Sequence, residues 1–179
     1  MSGTVLTLPG WTGAGPYHWM SVWERLDPTI VRVEQFDWDD PEPEEWSDAL
    51  EEQVARAVAP VVLVGHSLGA STVARWASHD EARIAGALLV APPDSERDGI
   101  ADEVARFGAV RRSPLPFPTI LVASRNDPAC GFSRASEFAR WWGAELVDAG
   151  DAGHINTASG YGPWPEGRAL LERLRRPSA

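Results

Sequence analysis

Apolar residues recur along the chain in short unbroken runs, and between the runs they return every three or four positions. The runs at 4–8, 30–36, 61–65, 87–91, 119–124 and 145–148 predict strands. Several are continuous rather than alternating, as expected of parallel strands covered on both faces. The helical patterns fall at 18–26, 46–59, 68–78, 100–107, 133–142 and 166–175. In the third of these Val73, Trp76 and Ala77 form the inward face. Strand and helix alternate throughout, which predicts right-handed βαβ units, a mostly parallel sheet and the α/β class. The segment 92–118 has room for one short helix and a proline-rich approach, but not for a large cap, so an open site is expected.

One junction of strand and helix carries chemistry. Residues 61–72 read VVLVGHSLGAST, and Gly65-His66-Ser67-Leu68-Gly69 has the form G-x-S-x-G. Between a strand and a helix this pentapeptide predicts a nucleophile elbow. The serine sits in a strained turn, and glycines on either side let strand and helix close up. The helix N-terminus offers free N–H groups to developing negative charge. The bland alternative is a tight turn with no chemistry.

A serine needs a base, and the base needs a carboxylate. In an open parallel sheet these gather at the carboxyl ends of strands. His154 follows the last strand in a glycine-rich loop and is the candidate base. His66 reads as a structural or wall residue, His18 as a residue near the site, and His79 as a surface residue. Asp127, just after the fifth strand, is the candidate acid, giving the order Ser67, Asp127, His154. Asp94, after the fourth strand, is its rival. For the oxyanion the candidates are the backbone N–H groups of Leu68 and of Trp11, the latter in the glycine-rich loop after the first strand. Tyr17, His18, Tyr161 and Trp164 fall on loops near this end and are candidate substrate contacts, with loop-pinning as the alternative for each.

Composition narrows the partners. The 179 residues fit a single domain, 1–179. With 26 acidic residues against 16 basic, net charge is −10, and every basic residue is arginine. That balance disfavours nucleic acid and anionic membrane surfaces. No apolar stretch approaches the ~20 residues of a membrane span, and the N-terminus lacks a signal-peptide pattern, so a cytoplasmic location is the default expectation. No metal motif is present, and the single cysteine, Cys130, reads as a small buried residue. No cofactor is expected. Acids crowd 37–52, where they read as a solvated helix start or, less simply, as a docking patch. Arg111 and Arg112, near the proline-rich segment, read as solvent-exposed, with binding of a substrate carboxylate as the alternative, and are left out of the candidate site.

The stretches VLTLPGW, VVLVGHSLGA, LVAPPD, SRNDPACGFSRA and AGHINTASGYGPWPEG span nearly the whole chain. Through them the sequence resembles the small α/β-hydrolases of the retinoblastoma-binding-protein-nine and YdeN-like serine hydrolase family. The resemblance implies a trimmed α/β-hydrolase fold, a three-layer αβα sandwich on a six-stranded parallel sheet of order 2-1-3-4-5-6 without a large cap domain. It also implies the triad Ser67, Asp127 and His154. The chain has no L-x-C-x-E segment, so retinoblastoma-protein binding is not carried over. The resulting expectation is a serine hydrolase of small-molecule esters, with amides or thioesters as further substrates, acting on small apolar or aromatic acyl groups. The alternative is a catalytically weak hydrolase-fold protein serving as a protein-binding module, with its protein partner unknown. A cofactor-free haloperoxidase side activity is a third.

Overall fold

The computed structural model describes residues 3–77 and 83–176. The expected helix end at Ser78 and the expected surface position of His79 lie outside the described residues. Six strands, β1 Val5–Leu8, β2 Ile30–Arg32, β3 Val61–His66, β4 Ile84–Val90, β5 Thr119–Ala123 and β6 Glu145–Asp148, form one parallel sheet in the order β2-β1-β3-β4-β5-β6. The helices are α1 Trp19–Leu26, α2 Pro43–Arg56, α3 Leu68–Trp76, α4 Asp102–Ala105, α5 Phe132–Trp142 and α6 Pro165–Arg175.

The continuous apolar runs follow from coverage on both faces. Leu6, Leu8 and Leu63 face a core with Leu50 and Val54 of α2, Val73 of α3 and Phe138 of α5. Their neighbours Val5, Val62 and Val64 face the opposite core, with Trp19 and Trp23 of α1 and Leu171 of α6. Helices therefore cover both sides, and no cap domain rises from the described residues. No described helix is long and apolar enough to cross a membrane.

The structure shifts several of the expected boundaries. β2 stops at Arg32 instead of 36. It is an edge strand paired only with β1, which ends before Pro9, and a proline has no N–H to extend a ladder. Val33 still donates its N–H to Thr7 O at 2.9 Å, but Phe36 beyond it is 90% exposed. β4 starts three residues early, at Ile84. Gly86 looks like a breaker in the sequence but is a packing residue. A Cβ there would lie 2.9 Å from both Leu174 Cδ2 and Pro118 O, where α6 crosses the strand. α2 starts at Pro43, a proline in the first turn followed by Glu44 and Glu45, which suit a helix N-terminus. α4 is a single turn rather than a helix over 100–107.

Four acids of the stretch pair with arginines of the chain. Arg106 reaches Asp40 and Glu42 at 2.6 Å each, Arg75 pairs with Glu44, and Arg56 with Glu52 at 3.1 Å. Of the tryptophans, Trp19, Trp23, Trp46, Trp76, Trp142 and Trp164 are buried, consistent with packing at helix–sheet interfaces.

Candidate active site

β3 delivers Ser67 into a turn that L-residues avoid, with φ 54° and ψ −125°. The flanking glycines explain how the chain tolerates it. A Cβ on Gly65 would stand 2.7 Å from Ala70 Cα, and one on Gly69 would stand 1.9 Å from Leu8 O. Strand, turn and helix are therefore closer together than any side chain permits. Gly10 plays the same part from the β1 loop, where a Cβ would meet Ser67 Cβ at 2.7 Å.

β5 and β6 bring the other two groups. Ser67 Oγ lies 2.9 Å from His154 Nε2, and His154 Nδ1 lies 2.9 and 3.0 Å from the two oxygens of Asp127. The Asp127 side chain is 3% exposed and that of His154 is 18% exposed. Asp127 Oδ1 also accepts the N–H of Ala129 at 2.8 Å, which fixes the carboxylate's orientation. With Nδ1–H donated to the carboxylate, Nε2 is left as an acceptor for the serine hydroxyl. Asp94 stands elsewhere, held by Arg134 at 3.2 Å and by its own N–H to Ala129 O. Asp148 is committed to Arg125.

The loop carrying His154 is clamped from several directions. Asn126 Oδ1 accepts Gly153 N–H at 2.7 Å and Ser124 Oγ–H at 2.8 Å, while Ser124 Oγ accepts Ala152 N–H at 2.9 Å. Ser159 Oγ accepts His154 N–H at 3.1 Å, and a Cβ on Gly153 would run into that oxygen at 2.4 Å. His66 Nε2–H donates to His154 O at 2.8 Å, and Trp19 Nε1–H donates to Ile155 O at 2.9 Å. Asn126 and Ser124 have no place in the expected site. Their only signal in the sequence is the polar stretch SRND directly after a strand.

No hydrogen bond among the described residues uses the backbone N–H of Leu68 or Trp11, the two expected oxyanion donors. Leu68 opens α3, so its N–H is among those a helix leaves unpaired. The Trp11 loop is held in shape by Thr12 N–H to Trp38 O at 2.8 Å, by Gly13 N–H to Gly10 O at 2.9 Å, and by the Trp11 indole N–H to Asp39 O at 2.9 Å.

A cleft of about 210 Å³ opens beside Ser67, walled by Trp11, Gly13, His18, His66, Asn156 and Thr157. Of the expected substrate contacts only His18 lines it. Tyr17 is 76% exposed. Tyr161 packs edge-on against Trp164 at 5.9 Å, and Trp164 is buried against Trp19 at 4.9 Å and Trp23 at 5.9 Å. Tyr161 and Trp164 seat the start of α6 instead of lining the cleft.

His18, His66 and His154 stand in a row, with ring centres 4.9 and 5.0 Å apart. His18 caps α1 by accepting Met20 N–H on Nδ1. Burial, with Arg32 and His154 nearby, pushes its pKa down to about 4. Burial above all holds His66 well below the usual imidazole range. Both are therefore neutral near pH 7. Burial pushes the Cys130 thiol up to about 12, so no thiolate competes with the serine. Among the described residues no cluster of three or more His, Cys, Asp or Glu forms a metal-binding group.

The serine hydrolase family profile matches residues 5–173. A structure described as a YdeN-like hydrolase from Pectobacterium atrosepticum is 37% identical, with a TM-score of 0.86, covering 96% of this chain and 90% of that one. The ydeN gene product of Bacillus subtilis superposes with a TM-score of 0.80 at 20% identity, over 96% and 97% of the two chains. Est1E from Butyrivibrio proteoclasticus, solved with ferulic acid, shares the fold at 15% identity and a TM-score of 0.69, over 97% and 90%. No curated protein matches the chain. None of these matches bears on the retinoblastoma-binding side of the resemblance. Sheet order, serine turn and a family match over nearly the full length carry one conclusion: the chain belongs to the serine hydrolase family, as a YdeN-like enzyme of α/β-hydrolase fold.

Proposed function

We propose that the enzyme hydrolyses carboxylic esters of small acyl groups through an acyl-enzyme on Ser67. The observation that carries this reading is the unbroken hydrogen-bonded line from Asp127 through His154 to Ser67 Oγ. His154 Nε2 takes the hydroxyl proton as Oγ attacks the carbonyl carbon. It then gives that proton to the departing alkoxide as the C–O bond breaks. Asp127 holds the Nδ1–H tautomer and offsets the imidazolium charge. The N–H groups of Leu68 and Trp11 receive the oxyanion. Water, deprotonated by the same nitrogen, releases the carboxylic acid. No step calls for a cofactor.

The cleft wall favours modest acyl groups. Its aromatic surface comes from Trp11 and His18, and Asn156 and Thr157 supply polar edges. Neutral imidazoles at His18 and His66 leave no cation beside His154 to oppose its protonation.

Labelling with a fluorophosphonate, followed by peptide mapping, tests the reading. Such a probe reacts with an activated serine and not with an ordinary one. The expected result is an adduct on Ser67 that is lost in His154→Ala, together with loss of p-nitrophenyl ester turnover in folded Ser67→Ala. An unlabelled, folded wild type would overturn it, as would turnover that survives Ser67→Ala.

A further inference from the structure

A second cavity lies away from the cleft, between α3, α5 and the segment that crosses from β4 to β5. It measures about 210 Å³ and shares no lining residue with the Ser67 cleft. Its apolar walls come from Ala74 of α3, Phe138 and Trp142 of α5, and Phe107 and Val110 of the crossing segment. An apolar cavity of about 150 Å³ is enough to hold a benzene ring. This one therefore has room for one aromatic ring and a short polar extension.

Two polar groups at the cavity point to what that extension is. Ser71 lines it, and its hydroxyl makes no hydrogen bond among the described residues. Hydroxyls on the same and other helices satisfy themselves on their own backbone: Thr72 on Leu68 O, Ser47 on Pro43 O and Ser136 on Phe132 O, each at 2.8 Å. Arg111 also lines the cavity. Its guanidinium donates to the carbonyls of Ser113 at 3.3 Å and Pro114 at 3.2 Å, and no described carboxylate neutralises it. The adjacent Arg112 and the nearby Arg134 both bind Glu96, and Arg75 on the far wall binds Glu44. A half-buried cation without a counter-charge, beside a hydroxyl without a partner, suits a carboxylate.

From this we infer that the enzyme carries a second small-molecule site, distinct from its catalytic cleft, that binds a monocarboxylate bearing one aromatic ring or a branched alkyl group of similar size. The ring lies among Phe107, Phe138 and Trp142, and the carboxylate meets Arg111 and Ser71. An arylalkanoate has this shape, and so does its ester after hydrolysis. The site does not depend on Ser67 being active. Ser71 sits one turn beyond Ser67 on α3, its N–H reaching Ser67 O at 3.3 Å.

Isothermal titration of 3-phenylpropionate into wild type, the fluorophosphonate adduct, Arg111→Gln and Val110→Trp tests the site, with 3-phenylpropionamide as the uncharged control. Val110 is only half-buried, so its enlargement fills the cavity without opening the core. The acid should bind wild type and the adduct equally. The amide should bind about tenfold more weakly or worse, a difference that Arg111→Gln erases. Val110→Trp should abolish binding of both. Absence of binding to wild type would overturn the inference. Binding lost in the adduct would overturn it too, by placing the ligand in the catalytic cleft. Binding indifferent to both substitutions would do the same. Failure of Ser67 to label leaves the wild-type and variant arms intact, so this site and the esterase reading fail separately.

Discussion

His18 offers a quantitative check on how the site is buried. It caps α1 through Nδ1, is 5% exposed, and titrates at about 4 instead of the ordinary 6.5. In the unfolded chain the imidazole gains a proton as pH falls through its ordinary range, while in the folded protein it resists until about 4. The unfolded state binds more protons throughout that window, so stability falls as pH drops through it and levels off below. Between about pH 7.5 and about pH 4.5 the shift costs about 2.5 kcal/mol of folding stability from His18 alone. The substitution that isolates this is His18→Asn. Asparagine retains an acceptor for Met20 N–H, is among the best N-caps, and does not titrate.

Urea unfolding of both proteins at the two pH values gives the comparison. Glu145 and Asp148, remote from His18, contribute equally to both and cancel in the difference, whereas His66, whose ring centre is 4.9 Å from that of His18, stays coupled to the substitution and charges more readily once His18 is gone. Wild type should lose about 2.5 kcal/mol more than His18→Asn on acidification. Equal losses would refute the claim that this imidazole is held neutral by burial. A larger loss in the variant would reverse its sign.

Two further substitutions probe the frame around the serine. Gly69→Ala would place a Cβ 1.9 Å from Leu8 O and 2.8 Å from Pro9 O, both backbone atoms that cannot swing aside. The expected cost exceeds about 3 kcal/mol, or a Tm lowered by roughly 6 °C or more, and a thermal scan within about 2 °C of wild type would refute it. Asn126→Ala frees Gly153 N–H and Ser124 Oγ beneath the His154 loop. Its kcat for p-nitrophenyl esters should fall about tenfold with KM little changed, and Asn126→Asp, which keeps the acceptor, should recover most of it; an unaffected kcat in Asn126→Ala would contradict the positioning role.

The sheet was legible because its runs are governed by burial alone. Val61–His66 and Thr119–Ala123 are buried along their whole length, with apolar residues on both faces and turn residues at their ends, and such runs admit little else. Where the pattern misled, a neighbour distant in the chain decided. β2 is cut short by the proline that ends β1, and β4 runs through Gly86 because α6 lies against it. Local periodicity carries neither fact. The short α4 shows the reverse case, in which a pattern suited to a longer helix yields one turn of it between two irregular stretches.

At the site, the three groups that meet could be read from their positions after strands, since only the carboxyl ends of β3, β5 and β6 can place them together. The choice of Asp127 over Asp94 was not local in that sense. Both carboxylates follow strands, and what separates them is that Arg134 of α5 engages Asp94 while Asp127 has the N–H of Ala129 and the ring of His154. The loop aromatics were harder still. Tyr17, Tyr161 and Trp164 stand in the chain where a pocket wall would stand, yet Trp164 turns into the layer of Trp19 and Trp23 and draws Tyr161 with it. Those buried indoles then act on the site at one remove. Trp19 holds Ile155 O and Trp23 holds Pro163 O at 2.8 Å, so the aromatic layer under the sheet fixes the loop that aims His154 directly after the histidine and again just before α6. The buried tryptophans thus bear on the chemistry through the geometry of that loop, while Trp11 lines the cleft itself.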